Sequence, residues 1–291
     1  SGAPRQGAEP HRSHEGGVVV LGSGPIRIAQ GVEFDYCCVK AVEALRRRGV
    51  RAIMMNVNPE TVSTDHDISD ALYLEPLTVD DAMPILEREK AAGVFACFGG
   101  QTSLRLGLDL AARGVKLFGP GAEVIEAAED RGQFSRLLAR IGVPEPKGVD
   151  VASVEEALEA ADRLGYPLMV RPSFVIGGVA MRAVYDEKAL VAVLKEAFDA
   201  VPGQKVMVDQ FLAGREFECD ALCDGGDVLI PGIFEHIDPA GIHSGDSIAV
   251  FPSFSLTKEQ QDEVLKFVST ISRELNVHGL LNIQFVLRGG A

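Results

Sequence analysis

Short apolar runs alternate with longer amphipathic stretches between residues 18 and 121 of the chain. The apolar runs are "VVVLG", "RAIMMNVNP", "VFACFGG" and "KLFGP", and the amphipathic stretches are "CCVKAVEALRRRG", "DDAMPILEREKAAG" and "SLRLGLDLAARG". Short apolar runs are typical of buried strands, and longer amphipathic stretches are typical of surface helices. The alternation predicts a parallel sheet covered by helices, with right-handed crossovers.

The pattern changes in the second half. Ser153 with Glu156, and Thr257 with Gln260, have the spacing of capping boxes and predict two helix starts. Between them lie five strand-like runs, "PLMVRP", "AMRAVYD", "QKVMVDQFL", "EFECDALCDG" and "DVLIPGIFEHI". We expect short glycine-containing turns rather than helices between these strands, which favours an antiparallel sheet.

These patterns predict an α/β protein with two domains. Residues 1–17 lack periodicity and are rich in glycine, proline and polar residues, so we expect them to be disordered or left over from cloning. Residues 18–121 form the predicted parallel-sheet domain, and residues 122–291 form the predicted α+β domain.

Composition narrows the function classes. No apolar run approaches the roughly 20 residues that cross a bilayer, and no secretion leader precedes the first strand, so we expect a cytoplasmic protein without membrane contact. The five cysteines fit neither a disulfide framework nor a paired zinc motif, and we expect them to be reduced. A net charge of −14 argues against a nucleic-acid partner.

A glycine-rich loop, "GSGPIRIAQG", follows the first predicted strand. A dinucleotide fingerprint needs glycine at its first, third and sixth places and an acid after the second strand. Gly22 and Gly24 fit the first two places, but Arg27 stands at the sixth, and the second strand ends in Asn56 and Asn58. A nicotinamide site is therefore disfavoured, and a purely structural role for the two glycines stays open.

An arginine lies inside an apolar strand in "LMVRPSFVIGGVAMRAVYD". Burying the guanidinium of Arg171 is costly without an anionic partner. Two glycines follow it in a loop, so the stretch could surround a polyphosphate, with the guanidinium and backbone N–H groups on phosphate oxygens. The alternative is an ion pair between Arg171 and a structural carboxylate.

Acidic and histidine side chains accumulate further along the chain. Glu216, Glu218 and Asp220 fall on one face of a regular strand, where they could face solvent, a cation or a ribose hydroxyl. His236 and His243 match no zinc spacing and are more typical of hydrogen-bonded structural residues.

Two amides, Asn282 and Gln284, lie in the apolar strand "GLLNIQF". Buried amides need hydrogen-bond partners. Because Mg²⁺ prefers oxygen ligands, the side-chain carbonyl of Gln284 could bind it.

Together these stretches resemble the large chain of the carbamoyl phosphate synthetase family, in the ATP-grasp superfamily. The resemblance runs from about Val18 to the end and rests on "GSGPIRIAQGVEFDYCCVKA", "NVNPETVSTD", "FGGQTSL", "AEDRGQF", "GYPLMVRPSFVIGG", "EHIDPAGIHSGDS" and "GLLNIQF". The doubled cysteine and "PIR" are similar to the carboxyl-terminal of the family's two homologous halves, which phosphorylates carbamate. The resemblance implies a pre-ATP-grasp domain followed by an incomplete ATP-grasp domain.

The resemblance also implies a nucleotide site. Arg131 and Arg171 match phosphate contacts and are the residues expected to neutralise charge in catalysis. Gln210 and Leu212 match positions beside the adenine, and Glu216 matches the acid that holds the ribose. A loop that lines the same nucleotide matches Gly241, Ile242, His243 and Ser244.

Metal ligands are implied in the same way. Gln284 matches a ligand of Mg²⁺, or of Mn²⁺ in its place. The family also binds K⁺ near the nucleotide, and Glu216, His236 and Ser247 fall at matching positions.

Two positions depart from the family pattern. Ala29 stands where the family usually has glycine in "RIGQG". The sequence stops at Ala291, just before the strand that carries the family's "E-x-N-P-R" motif, so we expect the isolated chain to be inactive.

The implied reaction is ATP-dependent phosphorylation of carbamate to carbamoyl phosphate, for arginine or pyrimidine biosynthesis. The implied partners are carbamate, ATP and a glutaminase small subunit or domain, and the parent enzyme could form oligomers. The alternatives are a non-catalytic nucleotide-binding or regulatory module, another ATP-grasp ligase such as a biotin carboxylase, and a Rossmann oxidoreductase.

Overall fold

The computed structural model describes residues 16–25, 32–172, 182–200, 203, 205–240 and 247–288. The predicted disorder of residues 1–17 concerns a segment that lies almost wholly outside the described residues. The chain divides into two compact units: the first reaches Phe134 and includes Leu222–Leu229 and Ser272–Leu281, and the remaining residues form the second. Among the described helices, none has the length and apolarity to cross a membrane.

The first unit contains a five-stranded sheet in the order β3-β2-β1-β4-β5, and every neighbouring pair is parallel. Its elements are β1 (Val18–Leu21), α1 (Val32–Arg47), β2 (Ala52–Asn56), β3 (Ala71–Leu74), α2 (Val79–Arg88), β4 (Gly93–Phe95), α3 (Gln101–Ala111), β5 (Leu117–Phe118) and α4 (Ala122–Glu129). The predicted parallel sheet is thus confirmed. The sequence pattern did not predict β3, a partly exposed edge strand that is identified by its pairing with β2.

Both faces of this sheet are buried, as expected of a parallel sheet. Alternate residues of β1 point to opposite sides: Leu21 packs in a cluster with Leu106 of α3, and Val20 packs in a cluster with Val42 of α1. All five cysteines are free, which agrees with the prediction, and three of them are buried.

The described start of the glycine-rich loop after β1 packs closely against neighbouring residues. A Cβ atom on Gly22 would lie 2.4 Å from Cγ of the buried Asn56, and a Cβ on Gly99 would lie 2.4 Å from the carbonyl oxygen of Gly22. Gly24 has φ +73°, and its N–H donates to Oδ1 of Asn56 at 3.0 Å. These contacts give Gly22 and Gly24 the structural role that the sequence left open.

The second half of the chain is built mainly from antiparallel strands. Its elements are α5 (Arg131–Ile141), β6 (Gly148–Val151), α6 (Val154–Leu164), β7 (Leu168–Pro172), β8 (Arg182–Val184), α7 (Glu187–Ala200), β9 (Val206–Gln210), β10 (Arg215–Asp224), β11 (Val228–Leu229), β12 (Phe234–His236), β13 (Ala249–Val250), α8 (Lys258–Glu274) and β14 (His278–Leu287). One sheet has the order β6-β9-β7-β8, and the other has the order β11-β10-β12-β13 with β14 paired to β10.

The antiparallel pairing confirms the predicted sheet type, but one predicted connection is wrong. Helix α7 joins β8 to β9 where only a short turn was expected. Its apolar residues Leu190 and Leu194 pack in one cluster with Val170 of β7 and Val208 of β9, so the helix covers the four-stranded sheet. The run "DVLIPGIFEHI" forms two short strands, β11 and β12, instead of one.

Both predicted helix caps are present. The Ser153 Oγ atom accepts from the backbone N–H of Glu156 at 3.2 Å. At the start of α8 the exchange is reciprocal, because Thr257 Oγ1 accepts from Gln260 N at 3.3 Å and Gln260 Oε1 accepts from Thr257 N at 3.0 Å.

Replacing Gly99 by alanine tests the close packing of the loops at the carboxyl ends of β1 and β4. The added methyl would press on the Gly22 carbonyl oxygen, and we expect a loss of about 1–3 kcal/mol of stability. Urea unfolding followed by circular dichroism measures it. Gly226→Ala is the matched control, because the nearest atom to its added Cβ would be 3.8 Å away. Equal unfolding midpoints for the two variants would refute the packing account.

Candidate functional site

Strand β10 has two chemically different faces. Phe217 and Cys219 are fully buried on one face, and Glu216, Glu218 and Asp220 occupy the other. Burial, together with the neighbouring charges of Asp220 and Glu218, raises the pKa of the Cys219 thiol to about 11, so this thiol is neutral at physiological pH. The alternation confirms the prediction that the three acids share one face.

Strand β12 places a histidine against this acidic face. Glu218 pairs with Phe234 in antiparallel register, which brings Glu216 opposite His236. Oε2 of Glu216 lies 3.5 Å from Nδ1 of His236, and Oε1 of Glu218 lies 3.5 Å from its Nε2. The histidine side chain is only 1% exposed, so the imidazole is buried between two carboxylates.

A serine just before strand β13 belongs to the same face. Ala249 pairs with His236, and Ser247, two residues earlier, therefore lies diagonally across from the histidine. The Oγ of Ser247 and both ring nitrogens of His236 are buried without a hydrogen-bond partner among the described residues. The register thus places Glu216 opposite His236 and Ser247 diagonally across from His236 on the other side of β12; these are the three residues predicted to bind K⁺.

Strand β14 runs antiparallel to β10. The N–H of Gly225, just after β10, donates to the carbonyl of Val277 at 2.9 Å. Nδ2 of Asn282 donates to Oδ1 of Asp220, also at 2.9 Å. Gly225 therefore meets Val277, whereas the earlier residue Asp220 meets the later residue Asn282. This opposite order shows that the two strands are antiparallel.

This pairing places Gln284 opposite Glu218, on the face that carries Glu216. Asn282 and Gln284 lie in the predicted apolar strand, but both residues are exposed. Strand β14 alternates half-buried and exposed positions, and both amides fall on its exposed side. The apolar letters around them predicted the strand but not the side on which each amide lies.

A cavity of about 380 Å³ in the second unit adjoins this strand. Leu212 and Gln284 both line it, so the predicted adenine neighbour and the predicted Mg²⁺ ligand share one cavity. The remaining wall is mostly apolar, as in many small-molecule sites. It is formed by Val143, Pro144, Pro146, Phe217, Leu256, Gln260, Glu263, Val264, Phe267, Phe285, Val286 and Leu287.

Arg171 has the carboxylate partner that the sequence left as an alternative. Its Nε lies 3.3 Å from Oδ2 of Asp209, whose side chain is 4% exposed. The arginine side chain is 50% exposed, so much of the guanidinium still faces solvent while Asp209 fixes one edge. The glycine loop predicted to close over a polyphosphate lies outside the described residues.

The remaining residues predicted to contact the nucleotide lie in three different parts of the chain. The side-chain amide of Gln210 donates to the carbonyl of Leu164, the last residue of α6, at 3.1 Å. Arg131 begins α5 in the first unit and is half-buried. The loop Gly241, Ile242, His243 and Ser244 lies outside the described residues.

One important acid was missed by the sequence analysis. Glu235 is 2% exposed, and its Oε2 accepts from the N–H groups of Phe254 and Ser255, each at 3.0 Å, while Oε1 accepts from Ser255 Oγ. It fastens the segment after β13 to β12 and so supports the strand that carries His236. The sequence did contain a signal for this buried acid, because a charged residue within the mainly apolar run "GIFEHI" indicates a carboxylate that needs partners.

Within the described part of the chain, no group of three or more His, Cys, Asp and Glu side chains is placed to hold a metal ion. A cation at the acidic face would therefore need other oxygen donors, such as Ser247 Oγ or ligand phosphates.

The first unit has a cavity of its own, of about 400 Å³, at the carboxyl ends of β1 and β2. It is lined by Pro25, Val57, Asn58, Pro59 and Glu60. Loops at this edge are where open parallel sheets commonly bind ligands.

Two family models cover nearly all of the chain. The carbamoyl phosphate synthase pre-ATP-grasp domain matches residues 14–127. The carbamoyl-phosphate synthase L chain, ATP binding domain, matches residues 130–290.

Curated relatives point the same way. The carbamoyl phosphate synthase large chain of Clostridium acetobutylicum is 49% identical over 272 residues, which cover 94% of this chain and 26% of the relative. The large chain of Thermomicrobium roseum is 49% identical over 278 residues, with the same coverage of each. The chain therefore spans about a quarter of the length of these relatives.

Solved structures of ATP-grasp proteins share the fold. The N5-carboxyaminoimidazole ribonucleotide synthetase of Thermus thermophilus aligns with a TM-score of 0.71 and 19% identity, covering 94% of this chain and 68% of that one. The biotin carboxylase of Campylobacter jejuni aligns with a TM-score of 0.70 and 18% identity, covering 94% and 63%.

At these identities the structural likeness shows the fold alone, whereas the domain matches and the large-chain relatives are specific. The chain belongs to the carbamoyl phosphate synthase large-chain family.

Proposed function

We propose that this chain binds ATP and that, within a longer large chain, it phosphorylates carbamate to carbamoyl phosphate. The observation that carries the proposal is the convergence of Glu216, His236, Ser247 and Gln284 on one face of a sheet. These residues come from β10, β12, the segment just before β13, and β14. The proposed reaction, phosphorylation of carbamate, is inferred from membership of the carbamoyl phosphate synthase large-chain family.

The nucleotide would lie along this face. Its adenine would lie beside Leu212, and the ribose hydroxyls would donate to Glu216. The amide of Gln210, tied to Leu164, would keep the neighbouring backbone in place for the base. The loop Gly241, Ile242, His243 and Ser244 would cover the same nucleotide.

The phosphates would extend toward Arg171. Asp209 holds one edge of its guanidinium, and the half-exposed remainder could make bidentate contacts with phosphate oxygens. On the family resemblance, we assign Arg131 a similar role.

The residues present fit the proposed cations in their donor chemistry. The Glu216 carboxylate and the buried Oγ of Ser247, which has no hydrogen-bond partner among the described residues, offer oxygens for K⁺ beside the buried His236. Gln284 offers one oxygen to Mg²⁺ or Mn²⁺, and phosphates and water would complete an octahedron. A bound divalent ion would supply neutralisation of phosphate charge.

In the proposed reaction, a carbamate oxygen attacks the γ-phosphorus as the bond to the ADP oxygen breaks. Such a transfer needs positioning and charge neutralisation rather than a covalent protein intermediate. Arg171 and Arg131 would stabilise the charge that develops on the transferred group. A glutaminase subunit or domain would supply ammonia for carbamate, in cytoplasmic arginine or pyrimidine synthesis.

Arg171→Ala tests the phosphate assignment. We expect at least tenfold weaker MgATP binding in calorimetry, equivalent to about 1.4 kcal/mol. Arg182→Ala is the control, because Arg182 lies on the adjacent strand β8 and pairs with Glu196 at 2.8 Å. Equal affinity of the folded Arg171→Ala variant and the wild type would remove Arg171 from the site, and a folded wild-type chain that binds no ATP would contradict the proposed function.

Gln284→Ala tests the metal assignment. We expect Mg²⁺ to tighten ATP binding in the wild-type chain and about tenfold less in the variant, because one oxygen ligand is lost. Asn282→Ala, which changes an exposed amide two residues earlier on the same strand, should retain the full Mg²⁺ effect. The assignment is wrong if all three proteins respond equally to Mg²⁺.

The reaction itself is tested in a longer large chain that carries this segment. Incubation with carbamoyl phosphate and MgADP should form ATP, and Arg171→Ala should abolish that formation. ATP synthesis that persists in the variant would contradict the catalytic role.

A further inference from the structure

Two phenylalanines lie on the same face of the sheet as Glu218. Phe234 of β12 pairs directly with Glu218 of β10, so the two side chains project from one face. Phe251 follows β13, and its ring centroid lies 4.8 Å from that of Phe234, with the ring planes inclined at 43°. Phe251 is 48% exposed, so the aromatic pair leaves an apolar surface open beside the acids.

Gly232 makes room for this aromatic pair. A Cβ atom on Gly232 would lie 2.6 Å from Cε2 of Phe251 and 2.7 Å from its Cζ, so the ring occupies the space that any other side chain would fill. Aromatic rings at the separation of Phe234 and Phe251 also attract each other beyond the effect of burial. Contacts with Gly232 and Phe234 therefore hold the Phe251 ring in one place.

The aromatic pair lies level with the phosphate end of the proposed nucleotide. In that proposal the base lies beside Leu212, the ribose lies at Glu216, and the phosphates reach the metal ligand Gln284. Gln284 is opposite Glu218, which is two residues, or roughly 7 Å, further along β10 than Glu216. Phe234 occupies the same level on the other side of Glu218.

The two sides of Glu218 differ in what they offer to a phosphate. On the side of Gln284, amide and carboxylate oxygens can bind cations. On the side of Phe234 and Phe251, the rings carry no charge and no hydrogen-bonding group, and their effect is to keep water out of the adjoining volume. Water competes with carbamate as the phosphoryl acceptor, so an apolar wall beside the phosphates favours carbamate.

We propose that Phe251, held by Phe234 and by the lack of a side chain at Gly232, is a specificity-determining residue that excludes water from the phosphate end of the nucleotide. The inference deepens the proposed function and rests on it. When water attacks the γ-phosphorus, the bond to the ADP oxygen breaks as it does with carbamate. The attacking water loses a proton to solvent, and the products are ADP and inorganic phosphate. Phe251 therefore limits how much ATP is lost to hydrolysis.

Tryptophan fluorescence of this chain tests the position of the ring. The sequence contains no tryptophan, so Phe251→Trp introduces a single reporter. We expect saturating MgATP to shift its emission to shorter wavelength, because the nucleotide displaces water from the indole. Phe254→Trp is the matched control, since Phe254 is 68% exposed and lies in the same segment, and its emission should not change.

The ratio of hydrolysis to transfer tests the role of the ring in the longer large chain. ATP hydrolysis is measured without carbamate or a source of ammonia, and the rate that remains in Arg171→Ala is subtracted to isolate this site. We expect Phe251→Ala to raise this hydrolysis severalfold relative to ATP formation from carbamoyl phosphate and MgADP. Gly232→Ala should act in the same direction, because its added methyl displaces the ring. Phe251→Leu keeps an apolar side chain and should stay near the wild-type ratio.

Three results would overturn the inference. They are unchanged emission from a Phe251→Trp variant that binds MgATP, a wild-type ratio in Phe251→Ala, and a ratio in Phe251→Leu as high as that in Phe251→Ala. Failure of the proposed function is a separate outcome, because calorimetry would then detect no MgATP binding by the folded wild-type chain.

Discussion

The antiparallel pairing of β10 with β12 and β14 determines which side chains meet in this protein. Side chains alternate with period two, so a slip of one residue would move the whole acidic row of β10 into the core. Burial of Phe217 opposes such a slip, because a fully buried phenylalanine contributes about 1.5–3 kcal/mol relative to an exposed one. Buried Glu235 of β12 accepts hydrogen bonds from the segment after β13. These bonds hold β12 in place and so support its register with β10. Packing of Phe217 on the buried face of β10 thereby keeps the three carboxylates on its opposite face.

The exposed face of β10 is strongly acidic. Glu216, Glu218 and Asp220 follow one another along a strand, with a buried imidazole between the first two, in a chain of net charge −14. Like charges repel, so a row of carboxylates disfavours the approach of phosphate groups unless cations lie between them. A nucleotide on this face would therefore need metal ions beside its phosphates. Arg171, on the other antiparallel sheet, already has one edge neutralised by Asp209 and offers the rest of its guanidinium.

Local signals in the sequence predicted much of this arrangement. The alternation of apolar runs and helices predicted the parallel sheet, the period of "EFECDALCDG" predicted the two faces of β10, and Thr257 with Gln260 predicted the start of α8. The rest depends on contacts distant in sequence. Strand β12 has three residues, too few to reveal that His236 meets Glu216 and Glu218, and the exposure of Gln284 follows only from its place on β14. The tight approach of Gly99 to Gly22 likewise joins two loops about 80 residues apart, which no local pattern encodes.

Hydrogen–deuterium exchange of the chain with and without MgATP tests the central claim most directly, because it reports which strands the nucleotide protects. Binding at the acidic face predicts slower exchange in the segment around Leu212 and in β12 and β14, with no change at the edge of the parallel sheet lined by Asn58 and Glu60. Protection confined to that edge, with β12 and β14 unchanged, would contradict the account and move the nucleotide to the first unit.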